Sequence, residues 1–204
     1  MIDPKVIAKL EAEAEAAAKK IKGVVHLADI AAFHAANGFH IAAIRCGESR
    51  VVAGEIQSPV QPMIVNYAFA IELYLKSLLI ASNAAQRGHK LDELFAKLRV
   101  TDREDIEKNF EIINGRNAQL LADDLRSYAR AFEEWRYLFE SRRETRIAVY
   151  SLADLARACF LTISERNDGW ANDSVKKTLS TAAEKAGVTV ISLGGGVMVR
   201  GNLG

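Results

Sequence analysis

Between residues 62 and 166 one helical pattern follows another with almost no chain between them, over roughly 62–84, 91–99, 102–114, 116–142 and 146–166. Helices joined by connections this short must be neighbours in space that cross or run antiparallel, and such a chain closes into a bundle. Each boundary has a local cause. Arg87-Gly88-His89 interrupts the first pattern, Thr101 with Glu104 has the spacing of a capping box, and Gly115 parts the third helix from the fourth. Upstream, residues 4–22 are rich in Ala, Glu and Lys, with Asp3 placed as N-cap and Pro4 in the first turn. A further helix is predicted over 24–44, where Val25, Ala28, Ala32, Ala35 and Phe39 recur at helical spacing and Asn37-Gly38 is a point of weakness. Residues 46–62 hold Gly47, Gly54, Pro59 and Pro62 around VVAGEIQ and read as a loop with at most a small strand.

A last helix over 173–186 ends at Gly187, and Val188–Leu193 and Val197–Arg200 follow as two short strands around Gly194, Gly195 and Gly196. A phosphate-cradling glycine loop needs a helix after it, and here none follows, so the triplet reads as a hairpin or frayed tail. The predicted fold is therefore all-α: an antiparallel helical bundle over 59–166, a helical extension over 1–58 packed on it, and a C-terminal helix with a small β-hairpin or flexible tail over 167–204.

Composition narrows the function classes. A chain of 204 residues makes one sizeable core, and its 27 basic and 26 acidic side chains leave a net charge of +1, too little to steer the whole molecule to a polyanion. Any nucleic-acid binding must come from a local patch. The opening residues mix both charges and lack the basic end and apolar stretch of a signal peptide, which predicts a cytoplasmic protein. The most apolar run, Met63 to Ala81, carries Glu72 and Lys76 at its centre, so it is predicted to be a core helix and no membrane partner is expected. Cys46 and Cys159 lie far apart without metal-ligand spacing and read as reduced thiols.

Few residues are arranged for chemistry. His26, His34, His40 and His89 form no metal-binding pair, no serine sits in a nucleophile elbow, and no metal or cofactor is predicted. What remains is charge on apolar helices. On a helix, Val65, Phe69, Glu72, Lys76, Leu79 and Asn83 share one stripe, which puts the Glu72–Lys76 pair inside a largely buried surface. Arg136 and Glu140 form a similar pair beside Leu125, Phe132 and Phe139, so the two pairs are expected to meet across the bundle. A lone buried charge costs several kcal/mol, so such a cluster is either a specificity device or the floor of a binding site. Arginines 126, 130, 136, 142, 143 and 146 are the densest basic group, but interspersed acids such as Asp123, Asp124 and Glu133 favour salt bridges on a solvated face.

Three segments, AIELYLK (Ala70–Lys76), GHKLDELF (Gly88–Phe95) and WRYLFE (Trp135–Glu140), resemble in that order an uncharacterised bacterial branch of the HEPN superfamily, over roughly residues 60–165. The resemblance implies a dimeric bundle. Many HEPN domains are metal-independent ribonucleases in toxin, antiphage or RNA-processing systems, whereas others are inactive binding modules. The family's ribonuclease signature, an Arg followed four to six residues later by His, is absent here. The resemblance thus implies a homodimeric, non-catalytic or degenerate module that recognises RNA, a nucleotide or a cognate partner protein, with Glu72, Lys76, Tyr137 and Glu140 as binding residues. The rival reading is an unorthodox ribonuclease in which His89 acts on the 2′-hydroxyl and Arg136 on the phosphate; a third is a structural helical adaptor.

Overall fold

The computed structural model describes residues 24–48, 50–57, 59–84, 87–115, 118–129, 145–180, 188–193 and 196–201. Among them the chain forms an all-α bundle of seven helices: α1 (Val24–Gly47), α2 (Val60–Ala81), α3 (Leu91–Ala96), α4 (Val100–Asn114), α5 (Ala118–Ser127), α6 (Val149–Arg166) and α7 (Asp173–Ser180). The helix expected over 4–22 lies outside the described residues, and the one expected over 116–142 stops at Ser127, with Tyr128 and Ala129 in a turn and its remainder outside the described residues.

Helix α2 is the axis of the core. Pro62 falls in its first turn, where the missing N–H would have no intrahelical acceptor, so it starts the helix without breaking it. It packs along α1 and against α3 and α6. By length and composition α2 could cross a membrane, yet Ile64, Ala68, Ile71, Leu75 and Leu79 are buried within the protein, as a core helix requires. Phe33 of α1 stacks on Phe160 of α6 at 5.9 Å, and Tyr74 of α2 and Trp170 close the cluster around them. Gly115 ends α4 in the left-handed conformation at φ 72°, its N–H donating to the Glu111 carbonyl at 2.8 Å, which a side-chain-bearing residue would strain to do.

Four local expectations are corrected. Helix α1 runs unbroken through Asn37-Gly38, and its buried face is Asp29, Phe33, Ala36, His40 and Ala43, while Ala28 and Ala35 are exposed. The alanines whose spacing predicted the helix are not its core because the buried face carries polar groups that find partners inside the protein. The capping box at Thr101 is not used. Helix α4 begins at Val100 behind Arg99, with no side-chain cap. Helix α2 stops at Ala81, leaving Asn83 in the left-handed region at φ 57°. Finally, residues 145–148 are not helical: Thr145–Ala148 is strand β3, because the chain after α7 supplies a strand for it to pair with.

Two small β elements complete the fold. Strands β1 (Arg50–Val52) and β2 (Glu55–Gln57) form a hairpin in the α1–α2 connection, with Val51 facing Ile56 in register. Strand β4 (Val188–Leu193) lies between β3 and β5 (Gly196–Gly201), antiparallel to both, with Ile147 opposite Val190 and Val190 opposite Val199. The Gly-rich C-terminal segment is thus a hairpin, with β3 as an unforeseen third strand.

Candidate functional site

Glu72 sits near the middle of α2, on the face turned toward the loop before α3, and is only 1% exposed. Its Oε1 accepts from Lys76 Nζ, one turn on, at 2.7 Å. The same oxygen lies 2.9 Å from His89 Nδ1. A carboxylate only accepts, so His89 carries a proton on Nδ1 and turns Nε2 to the opposite side of the ring. Two features of the loop put His89 there. Gly88 has φ 108°, a backbone conformation closed to most residues, and Leu91 N–H donates to the Ala129 carbonyl at 3.2 Å, tying the start of α3 to the end of α5.

The trio is lopsided. Oε1 takes both hydrogen bonds, while Oε2 is buried and accepts none. Lys76 uses one ammonium proton on Glu72, leaving two donors at a group whose side chain is 22% exposed. The His89 side chain is 51% exposed. A buried anion therefore anchors two cationic or protonatable groups at the surface, holding their tips near one another. Such a unit can bind an acceptor-rich ligand and can orient an imidazole for proton transfer.

The sequence brought Glu72, Lys76 and His89 forward for separate reasons, and the fold joins them. The other predicted site residues, Arg136, Tyr137 and Glu140, lie outside the described residues, as does their expected meeting with the Glu72–Lys76 pair. Of the basic group, Arg126 pairs with Asp123 one turn earlier, the intrahelical bridge expected of a solvated face. Arg146 lies on β3, and Arg130, Arg142 and Arg143 are outside the described residues. Among the described residues no cluster of three metal-ligating side chains occurs.

Two polar clusters went unnoticed in the sequence. Asp102, fully buried, accepts from Arg99 Nε at 2.9 Å and Arg99 Nη2 at 3.0 Å, and also from Arg166 at the end of α6. Arg166 further donates to Asp105 and to the Thr101 carbonyl, so it ties α6 to the first turns of α4. Burial alone would raise the Asp102 carboxyl, but the hydrogen bonds and charges of Arg99 and Arg166 outweigh it and hold the group below the usual carboxylate range.

The second cluster is internal to the α1–α2 seam. Tyr74 donates its hydroxyl proton to Asn37 Oδ1 at 2.9 Å and stands 3.2 Å from His40 Nδ1, which must then donate to it. Burial, and secondarily the charge of Arg157, pushes the His40 imidazole down to about 3, so it stays neutral inside the protein. The advance signal for the Tyr74 cluster was a few polar residues in apolar helices, whereas Asp102, in the charged helix α4, had none. Cys159 is buried and its thiol is pushed up by that burial, which makes it a packing residue.

In comparisons with known proteins, no family model, no curated protein and no solved structure matches this chain.

Proposed function

We propose that this chain is a HEPN-like, homodimeric and non-catalytic binding module that recognises a phosphate-bearing ligand, RNA or a nucleotide, through Glu72, Lys76 and His89. One observation carries the reading: a fully buried carboxylate holds a lysine and a histidine side by side at the surface with ammonium donors to spare. A buried charge is costly, and a fold that only needed stability would do as well with apolar residues there. Lysine acts on phosphate as a point charge, and a second donor beside it adds direction. Absence of the Arg-to-His signature supports binding without turnover.

The test is fluorescence anisotropy with a labelled single-stranded RNA and with a nucleoside triphosphate, on wild type and on Lys76→Ala and His89→Ala. Saturable binding that weakens in both variants is expected; wild-type binding unaffected by either substitution would refute the site. Light scattering should give about twice the monomer mass of 22.4 kDa at micromolar concentration, and a monomer would refute the assembly.

A second reading has its own support. His89 Nδ1 bound to a buried carboxylate is the arrangement that orients an imidazole as a general base, as ribonuclease action on a 2′-hydroxyl requires. RNA cleavage without divalent metal, abolished by His89→Ala, would establish that reading in place of the first.

A further inference from the structure

The loop that brings His89 to Glu72 carries a further surface cation. Arg87-Gly88-His89-Lys90 leads into α3 and is pinned at two points, at His89 by the Glu72 carboxylate and at Leu91 by the Ala129 carbonyl. A loop tied down on both sides of Lys90 has little freedom left, so the residues just ahead of it have a fixed place. Arg87, two residues before His89, is exposed. Two residues of chain span at most about 7 Å, which keeps the Arg87 backbone close to the imidazole. Lys90 is engaged otherwise: its ammonium donates to Glu93 in the first turn of α3 at 2.5 Å.

Gly88 stands between the arginine and the histidine at φ 108°. Where its side chain would start, no atom beyond its chain neighbours lies within 4 Å, so the backbone there can be approached closely. Arg87, Gly88 and His89 are all exposed and form an open shelf at the edge of the Glu72 cluster. That shape discriminates between the two kinds of phosphate-bearing ligand. A mononucleotide is held in a concave site that buries most of it. A polynucleotide lies along an open track on which cations meet successive phosphates of its backbone.

We infer that the ligand of the Glu72 site is an RNA strand, and that Arg87 takes the phosphate next to the one held by Lys76 and His89. This assignment depends on the binding function proposed above and adds to it the class of ligand and the residue that meets a second phosphate. The guanidinium fork matches the two non-bridging oxygens of a phosphodiester, which a lysine in the same place would meet only as a point charge.

The experiment is fluorescence anisotropy with a labelled single-stranded RNA roughly ten nucleotides long, at potassium chloride from about 50 to 200 mM, on wild type, Arg87→Gln and Arg87→Lys, with unlabelled RNA and a nucleoside triphosphate as competitors. Wild-type binding should weaken as salt rises, and the triphosphate should displace the probe only at concentrations at least about tenfold above those of unlabelled RNA. Arg87→Gln should bind about tenfold more weakly at the lowest salt and reduce the slope of log affinity against log salt by about 0.7, the share of one phosphate contact on a single strand. Arg87→Lys should restore the slope but not the whole affinity, because the charge returns without the fork. Both variants should melt as wild type does, since the side chain is exposed. An unchanged slope in Arg87→Gln, displacement by the triphosphate as readily as by RNA, or a clear fall in the melting temperature of Arg87→Gln would each overturn the assignment. Where any of these comes with binding that Lys76→Ala and His89→Ala still weaken, the Glu72 site stands and only the RNA strand and Arg87 fall. A wild type that binds neither RNA nor the triphosphate refutes both together.

Discussion

Asp102 and Glu72 are both buried carboxylates, and they are used in opposite ways. Asp102 has both oxygens engaged, by a chelating Arg99 and by Arg166 from another helix. Glu72 crowds Lys76 and His89 onto one oxygen and leaves the other dry and empty. Saturation marks a staple: every acceptor is answered, and the result joins α4 to α6. Under-saturation costs stability, about 1 to 3 kcal/mol for a buried acceptor without a donor, and is kept where the group serves something else. The partners differ in the same sense. Arg166 reaches from α6 to fasten α4, whereas Lys76 belongs to Glu72's own helix and His89 to the loop before α3.

The largest effect should come from breaking the staple. Asp102→Ala removes a buried acceptor of three charged hydrogen bonds and weakens the hold of Arg166 on α4, so a loss of about 3 kcal/mol is expected. Denaturant titration of wild type and variant measures it. A loss under about 1 kcal/mol would erase the distinction between the two carboxylates.

Next comes the neutral cluster, which is saturated like Asp102 but carries no charge. Tyr74→Phe deletes one hydroxyl and strands both Asn37 Oδ1 and the His40 ring, at a cost of about 2 kcal/mol. If the loss instead equals that of Asp102→Ala, then saturation matters in this fold and charge does not.

Acid separates the clusters by pH. The His40 imidazole is depressed in the folded protein, so its contribution is complete above the unfolded value of about 6.5 and is lost as pH falls from there toward about 3. The loss can reach about 1.4 kcal/mol per pH unit, since unfolding takes up one proton. Asp102 is likewise depressed, from a lower starting point: its contribution is complete above about 3.9 and is lost only below that. Unfolding midpoints taken from pH 7 to pH 3 should therefore fall well before carboxylates titrate, and His40→Gln should flatten the upper part of the curve while leaving the lower. A wild-type curve flat between pH 6.5 and 5 would show that His40 gains access to water.

How much of this was legible in the sequence follows from the same physics. Helices α2 to α6 announced themselves because their apolar spacing and short connections are local properties. Helix α1 was found from its period but its core was not, because Asp29, Asn37 and His40 look like surface residues until Tyr74 and the rest of α2 are there to answer them. Strand β3 was read as the start of α6 because its partner, β4, comes some forty residues later and pairing is not a local signal. The site was half legible. Glu72 and Lys76 stood out as charges in an apolar helix, and His89 as a histidine in a Gly-containing turn, but only the fold brings the turn onto the helix. Asp102 was passed over beside a Thr101 capping pattern that never forms, since Arg166, its partner from another helix, is remote in sequence.

The smallest expected effect is also the one that most sharply divides the two carboxylates. Glu72→Met removes an anion as fully buried as Asp102, and a simple burial argument predicts an equally large loss. The partners argue otherwise. Lys76 and His89 keep access to water at 22% and 51% exposure and can rehydrate when Glu72 is gone, so neither is stranded as a buried charge. Methionine is close in length, adapts to the space, and abolishes the acceptor that had no donor. Loss of two charge-assisted hydrogen bonds and relief of one orphaned oxygen should nearly cancel, leaving stability within about 1 kcal/mol of wild type. Binding should respond in the opposite way, because the lysine and the imidazole lose the anchor that holds them together. The decisive measurement pairs a denaturant titration with RNA and nucleotide anisotropy on the same preparation. A fold intact with binding lost is the mark of a site; a loss of 3 kcal/mol or more would make Glu72 a second staple, and its empty oxygen would then have no functional meaning.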